Sequence, residues 1–209
     1  MANPMSNLDK ALAEISAIRG QMARASQFRG YGPRTFAATG VLAMLAAQAQ
    51  SAWLPAPADH FSNWLRLWVL IAALSATLIG FEMVTRSRRI HSDLAETMIR
   101  AAVEQALPAF AAGILVTPVL IHFAPGSVPL LPGLWQIAFS LGVFASCRFL
   151  PRPLLLVGVW YMATGLGCLA LASGPHAFSP WLMGLPFGIG QLLVAMLLNF
   201  SLEARDEFR

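Results

Sequence analysis

"WLRLWVLIAALSATLIGFEMVTRSRRIHSD", residues 64–93, changes character once, near residue 85. From Trp64 to Val84 it is apolar apart from Arg66, Ser75, Thr77 and Glu82, and then Arg86, Arg88 and Arg89 follow in quick succession. A run of that length reaches the roughly 18–20 residues that cross a bilayer's hydrocarbon as a helix. A burst of arginine directly after it marks the cytoplasmic end of such a span.

The rest of the chain repeats the theme. Of 209 residues, 57% are hydrophobic and 11% charged, where a soluble domain carries about 25% charged residues. Mean hydropathy is +0.63. Too few polar residues remain to clothe one soluble core of this size. The fold class expected is all-α, a polytopic membrane helical bundle of six transmembrane helices preceded by an amphipathic cytoplasmic helix. The spans fall at about 34–53, 64–84, 103–123, 131–148, 154–173 and 181–201. Pro- and Gly-bearing stretches separate them, as in "WLPAPADHFSN", "FAPGSVPLLPG", "CRFLPRP" and "SGPHAFSP". Three regions follow: an N-terminal segment 1–33, the membrane domain 34–202, and a tail 203–209.

The pI near 9.8 would suggest nucleic acid in a soluble protein, but these basic residues flank apolar spans and set orientation instead. Lys10, Arg19, Arg24, Arg29 and Arg34 precede the first span; Arg86, Arg88, Arg89 and Arg100 join the second to the third. Arg148 and Arg152 bracket the fourth-to-fifth turn, Arg205 and Arg209 lie in the tail, and Arg66 alone sits opposite. Both termini are thus expected in the cytoplasm of a bacterial inner membrane. Trp53, Trp64, Trp68 and Trp181 gather toward the outer boundary, where an indole suits the interface. Ala47-Gln48-Ala49 resembles a signal-peptidase site, but the polar segment before it exceeds thirty residues and contains Asp9 and Glu14, long and mixed for a secretory leader.

Residues 82–108 concentrate eight of the twenty-four charged side chains. Glu82 and Arg86, Glu96 and Arg100, and Arg100 and Glu104 are four apart, on adjacent helical turns where acid and base pair weakly. This island reads as a wet connection and orientation anchor with a docking face. The third helix is expected to begin near Ser92, with Leu94, Met98, Val103 and Leu107 supplying part of its packing stripe. Glu82 and Glu104 lie near the hydrocarbon, where acidic groups often serve ion pathways, but each has an arginine neighbour.

The N-terminal stretch "SNLDKALAEISAIRGQMARASQF" starts like a capping box, with Asp9 in place of Glu. Leu8, Ala11, Ile15, Ile18, Met22 and Ala25 then recur in steps of three and four, the seam of a short amphipathic helix. Leu8, Ile15, Ile18 and Met22, with Arg86, Arg88, Arg89, Glu96 and Arg100, form the expected partner-binding set. Lipid or self-packing is the competing use of that apolar stripe.

Within the spans, Gln48, Gln50, Gln136, Ser140, Tyr161, Thr164, Gln191 and Asn199 read as hydrogen-bonding glue between helices. Gly184 and Gly188 form a small-xxx-small step, and Pro118 and Pro186 would kink the third and sixth spans. Cys147 and Cys168 are placed too far apart to pair. His60, His122 and His176 share the outer side without ligand spacing, so no metal site is assigned and no cofactor is expected. No nucleophile–base or phosphate-loop motif occurs.

The stretches "FRGYGPRTFAATG", "EMVTRSRR", "AAVEQ", "LPGLWQIAFSLG" and "CRFLPRP" resemble an uncharacterised family of small polytopic inner-membrane proteins of proteobacteria. That resemblance implies the layout, an amphipathic N-terminal helix before several spans, and no activity. The function expected is a non-enzymatic inner-membrane scaffold or regulatory subunit. A small transporter or channel-like module built on Gln136, Tyr161 and Gln191 is the alternative, and an outer-face metal or haem protein a weaker one. Besides the lipid bilayer, the expected partner is a cytoplasmic or membrane protein, or a further copy of the chain in a homo-oligomer; nucleic acid is not expected.

Overall fold

The computed structural model describes residues 32–54, 57–90, 93–147, 152–172 and 176–206, with the side chains of 86–90, 93–99, 152 and 201–206 outside the description. Among these residues there are six α-helices and no strand. They are α1 (Pro33–Trp53), α2 (Phe61–Ile90), α3 (Asp93–Phe123), α4 (Leu131–Ala145), α5 (Leu155–Leu171) and α6 (Pro180–Asp206). Short 3₁₀ turns at Pro125–Leu130 and Arg152–Leu154 lead into α4 and α5. The expected six-helix count and all-α class are found; the expected N-terminal helix and residues 207–209 of the expected tail lie outside the described residues, while 203–206 continue α6.

Four stretches are long and apolar enough to cross a membrane: Phe61–Thr85, Arg100–Phe123, Pro125–Ala145 and Pro180–Phe200. α5 is apolar but shorter, at 17 residues. α1 has the length, 21 residues, but its alanines, glutamines and threonines dilute its hydropathy. Its buried face, Thr39, Gly40, Ala43, Ala46, Ala47 and Gln50, meets protein rather than lipid, so it has less need of large apolar groups.

Prolines punctuate the helix starts. Pro33 occupies the first turn of α1, Pro132 that of α4 and Pro180 that of α6, where a missing N–H costs no intrahelical bond. Successive helices reverse direction. The starts of α1, α3 and α5 share one end of the bundle with the ends of α2, α4 and α6; this is the arginine-rich end. In space the order is α2–α1–α6–α5–α4–α3, with α1 on α6 and α4 on α5 the most extensive pairs and α2 barely touching α3.

The α1–α6 pair is close because both faces are small. A Cβ at Gly184 would collide with the Ala47 Cβ. One at Gly188 would lie 2.6 Å from Met44 Sδ, and one at Gly40 would lie 2.9 Å from the Gly188 carbonyl. The expected Gly184–Gly188 step is therefore a true contact, answered by Gly40, Ala43 and Ala47. Gly133 of α4 and Gly165 of α5 repeat the device, each facing the other's carbonyl oxygen, at 2.7 and 3.0 Å from the built Cβ. Ala47, the first residue of the Ala47-Gln48-Ala49 step, thus belongs to the heart of the bundle.

Two core clusters result. At the end far from the arginines, Trp64, Trp68, Val128, Leu131, Phe178 and Met183 pack with Ala46 and Ala47. In the other half Leu154, Val157, Tyr161, Val194 and Leu198 form the second cluster, with Phe36, Phe139 and Phe187 against it. Two expectations are corrected here. Trp64 and Trp68 are core residues, at 0% and 3% exposure, while Trp53 and Trp181 are exposed as an interfacial role requires. On α3, Val103 and Leu107 point outward and the packing residues are Ala102, Ala106 and Gly113. Gly113 faces α4 where the backbones approach closely, and Phe110, Val116, Leu120 and Ile121 pack inward beside it.

Leucine at Gly184 is expected to destabilise the bundle by about 1–3 kcal/mol, the usual cost of overpacking. Leucine at Gly167, whose Cβ would meet nothing within 4 Å, should change little. Denaturation of the two variants in mild detergent checks this; equal midpoints would contradict the tight α1–α6 contact.

Candidate functional site

The polar side chains inside the bundle are used mainly against backbone carbonyls of neighbouring helices. Gln50, near the end of α1, donates from Nε2 to the Phe178 carbonyl at 2.8 Å, and its Oε1 accepts from Trp68 Nε1 at 2.8 Å. One residue therefore ties α1 to α2 and to the segment before α6. Trp64 stacks on Trp135 at 5.7 Å between ring centroids and meets Phe178 edge-on at 5.1 Å. Trp135 in turn donates to Thr117 Oγ1 on α3 at 3.0 Å. This aromatic layer closes the far end.

One turn deeper, Gln136 Nε2 donates to the Leu182 carbonyl at 2.8 Å and contacts Cys168 Sγ at 3.2 Å. Pro186 explains why that carbonyl is free: four residues on, it has no N–H to offer. The Pro186 carbonyl accepts from Trp160 Nε1 at 2.9 Å. α6 is thus clamped by α4 and α5 across its proline. Ser140 Oγ donates to the Gly158 carbonyl at 2.7 Å, and Ser146 Oγ to the Ala102 carbonyl at 2.9 Å. The glue reading holds for Gln50, Gln136 and Ser140. It does not hold for Gln48, which is exposed, nor for Thr164, whose hydroxyl bonds the Trp160 carbonyl of its own helix.

Four buried atoms lack a well-formed hydrogen bond: Trp64 Nε1, Gln136 Oε1, Tyr161 Oη and Gln191 Oε1. Tyr161 and Gln191 nevertheless lie side by side and interact; the geometry falls short, not the proximity. Tyr161 is wedged against Gly190, where a Cβ would come within 2.5 Å of its hydroxyl, and packs on Phe139 at 4.6 Å and Phe187 at 5.1 Å. Of the expected intramembrane polar set, Tyr161 and Gln191 are together, and Gln136 stands apart, about two turns nearer the aromatic layer.

Glu82 and Glu104 are elsewhere, toward the arginine-rich end. Glu104 pairs with Arg100 at 2.8 Å, both side chains largely exposed, a pair worth a few tenths of a kcal/mol at most. The carboxylate of Glu82 lies directly on Gly32, where any Cβ would collide with it. Its expected neighbour Arg86, like Arg88, Arg89 and Glu96, is placed by backbone alone, on the helical overhangs of α2 and α3. Leu8, Ile15, Ile18 and Met22 lie outside the described residues. Cys147 is an exposed free thiol at this same end, and Cys168 is a buried free thiol. His60, His122 and His176 are exposed, and among the described residues no three His, Cys, Asp or Glu side chains converge.

Sequence reasoning named Gln50 as glue but not its partners Phe178 and Trp68, and it missed the Gly133–Gly165 approach. A signal for the first existed: Gly40, Ala43, Ala47 and Gln50 are spaced three and four apart, one face of α1. No protein-family model, curated protein or solved structure matches this chain, so no role is carried over from elsewhere.

Leucine at Gln50 removes both bonds and strands Trp68 Nε1 and the Phe178 carbonyl, which is expected to cost about 1–3 kcal/mol. Leucine at the exposed Gln48 should be near neutral. Denaturation midpoints of both variants in the same detergent decide it; a neutral Gln50→Leu would remove the clasp from the account.

Proposed function

We propose that the protein is a multi-pass scaffold or regulatory subunit of the bacterial inner membrane, non-enzymatic, with both termini cytoplasmic and six crossings. It would present the arginine-rich end of the bundle to a cytoplasmic or membrane protein partner. The observation that carries this reading is the α2–α3 hairpin. Its apolar run gives way to Arg86, Arg88 and Arg89, yet α2 continues as helix to Ile90 and α3 already starts at Asp93. A helix that runs on past the hydrocarbon with Arg86, Arg88, Arg89, Asp93 and Glu96 on it is built for water or headgroups. Both legs are rooted in the bundle, α3 through Ser146 Oγ on the Ala102 carbonyl and α2 through Glu82 on Gly32. A recognition surface on anchored helices keeps its shape better than one on loops.

A partner recovered with the tagged, detergent-solubilised protein should be lost at least about tenfold from the charge-reversed R86E/R88E/R89E variant, since opposed rim charges govern encounter and partner choice. The variant should insert and melt like the parent. Undiminished recovery, both from it and from a variant with alanine at Ile15, Ile18 and Met22, would overturn the reading.

The second reading, a small transporter or channel-like module, is favoured by the buried atoms without well-formed bonds at Gln136, Tyr161 and Gln191, since unmet polar groups cost most in a low-dielectric interior. Solute flux into reconstituted vesicles that Gln191→Leu abolishes would select it over the scaffold.

A further inference from the structure

Several of the helices are long, but the stretches that lipid can cover without meeting a polar side chain are short. On α2 the exposed Arg66 and the half-buried Glu82 are sixteen positions apart, about 24 Å at 1.5 Å per residue. On α3 the largely exposed Glu104 and the exposed His122 are eighteen apart, about 27 Å. On α1 the exposed Arg34 and Gln48 are fourteen apart, about 21 Å. α5 is 17 residues in all, about 26 Å. A typical bilayer presents roughly 30 Å of hydrocarbon. Four helices therefore fall short of it, by about 3–9 Å.

Side-chain contacts level these edges with one another. At the arginine-rich end the Glu82 carboxylate lies on Gly32, two residues before Arg34. At the far end Gln50 accepts from Trp68, and Gln48 and Arg66 are each two residues from that bond. The short distances on α1 and α2 thus measure one band twice. Trp53, exposed, lies just beyond its outer edge, where an indole suits the headgroups. Arg34 and Arg66 have long stems that carry their charges outward and recover part of the deficit. Glu82, Glu104 and Gln48 have shorter ones.

We propose that the protein carries a hydrophobic band of about 24 Å and selects phospholipids with short acyl chains, thinning the bilayer beside α1 and α2. The inference rests on the reading that these helices cross the membrane, and adds the kind of lipid they cross it in. α2 offers lipid a broad apolar surface, with Val69, Leu70, Leu74, Leu78 and Phe81 exposed between its two charges. Beside it a longer lipid must compress, or the charges must enter hydrocarbon. Both are unfavourable, so the shorter chain is the better neighbour.

Brominated phosphatidylcholines, whose chains quench tryptophan fluorescence on contact, read which lipids surround the full-length protein in vesicles. Monounsaturated chains of fourteen, eighteen and twenty-two carbons are compared. Binding should be tightest for the fourteen-carbon lipid and at least about twofold weaker for the twenty-two-carbon one. Gln48→Leu combined with Arg66→Leu, both at exposed positions, lengthens the apolar runs of α1 and α2 and should move the preference to eighteen carbons or beyond. Tightest binding of the eighteen- or twenty-two-carbon lipid by the parent would overturn the proposal, as would a preference that the double variant leaves unmoved. If thiols at the two ends of the bundle label from opposite sides of the membrane while long chains bind best, the crossings stand and the thin band falls. If they label from the same side, the crossing reading falls and the band with it.

Discussion

The constraint on which the rest depends is the absence of side-chain bulk between α1 and α6. In a bilayer, lipid tails are as apolar as leucine, so helices gain little by hiding apolar groups from one another. What holds them is close packing and the few polar bonds that closeness permits. Gly40, Ala43 and Ala47 against Gly184 and Gly188 bring the first and last helices together, closing a bundle whose chain would otherwise be a row of hairpins. That closure puts Gln50 beside Phe178 and sets Gln191 against Tyr161.

The polar residues then act as measured links. A glutamine has two donors and an acceptor on one short arm, and Gln50 uses this to join three parts of the chain. Gln136 answers a carbonyl that Pro186 has released, so proline and glutamine, separated by fifty positions, form one structural unit. Such bonds are individually modest, about 0.6 kcal/mol on average in membrane interiors. Their effect is positional: each carbonyl accepts from one place, and sliding a helix by a turn would break the bond without offering another.

Much of this architecture was legible because its signals are long and periodic. Apolar runs bounded by Pro and Gly located the helices within a few residues, and the four-residue spacing of Arg100 and Glu104 gave the pair that forms. The Gly184–Gly188 step was readable as a close-approach motif. Its partner was not, because one face of a helix does not name the helix it meets. Trp64 and Trp68 show the same limit: near a boundary an indole serves interface or core equally well, and only the assembled Trp135 and Phe178 make it core. Val103 and Leu107 were misread as packing residues on the rule that large apolar groups face inward, which does not hold on a face that lipid can cover. Glu82 carried a local partner four residues away, and its contact with Gly32 is fifty positions distant.

We propose that all six helices cross the membrane, with the arginine-rich end in the cytoplasm, although α5 is short and α1 weakly apolar. A thiol at each end reads this directly. Cys147, exposed at the arginine-rich end, and a cysteine introduced at exposed Ala58 can be labelled with an impermeant maleimide in right-side-out and inverted vesicles. The prediction is that Cys147 reacts only in inverted vesicles and the residue 58 thiol only in right-side-out ones. Labelling of both from the same side would contradict the crossing pattern, and with it the cytoplasmic docking face.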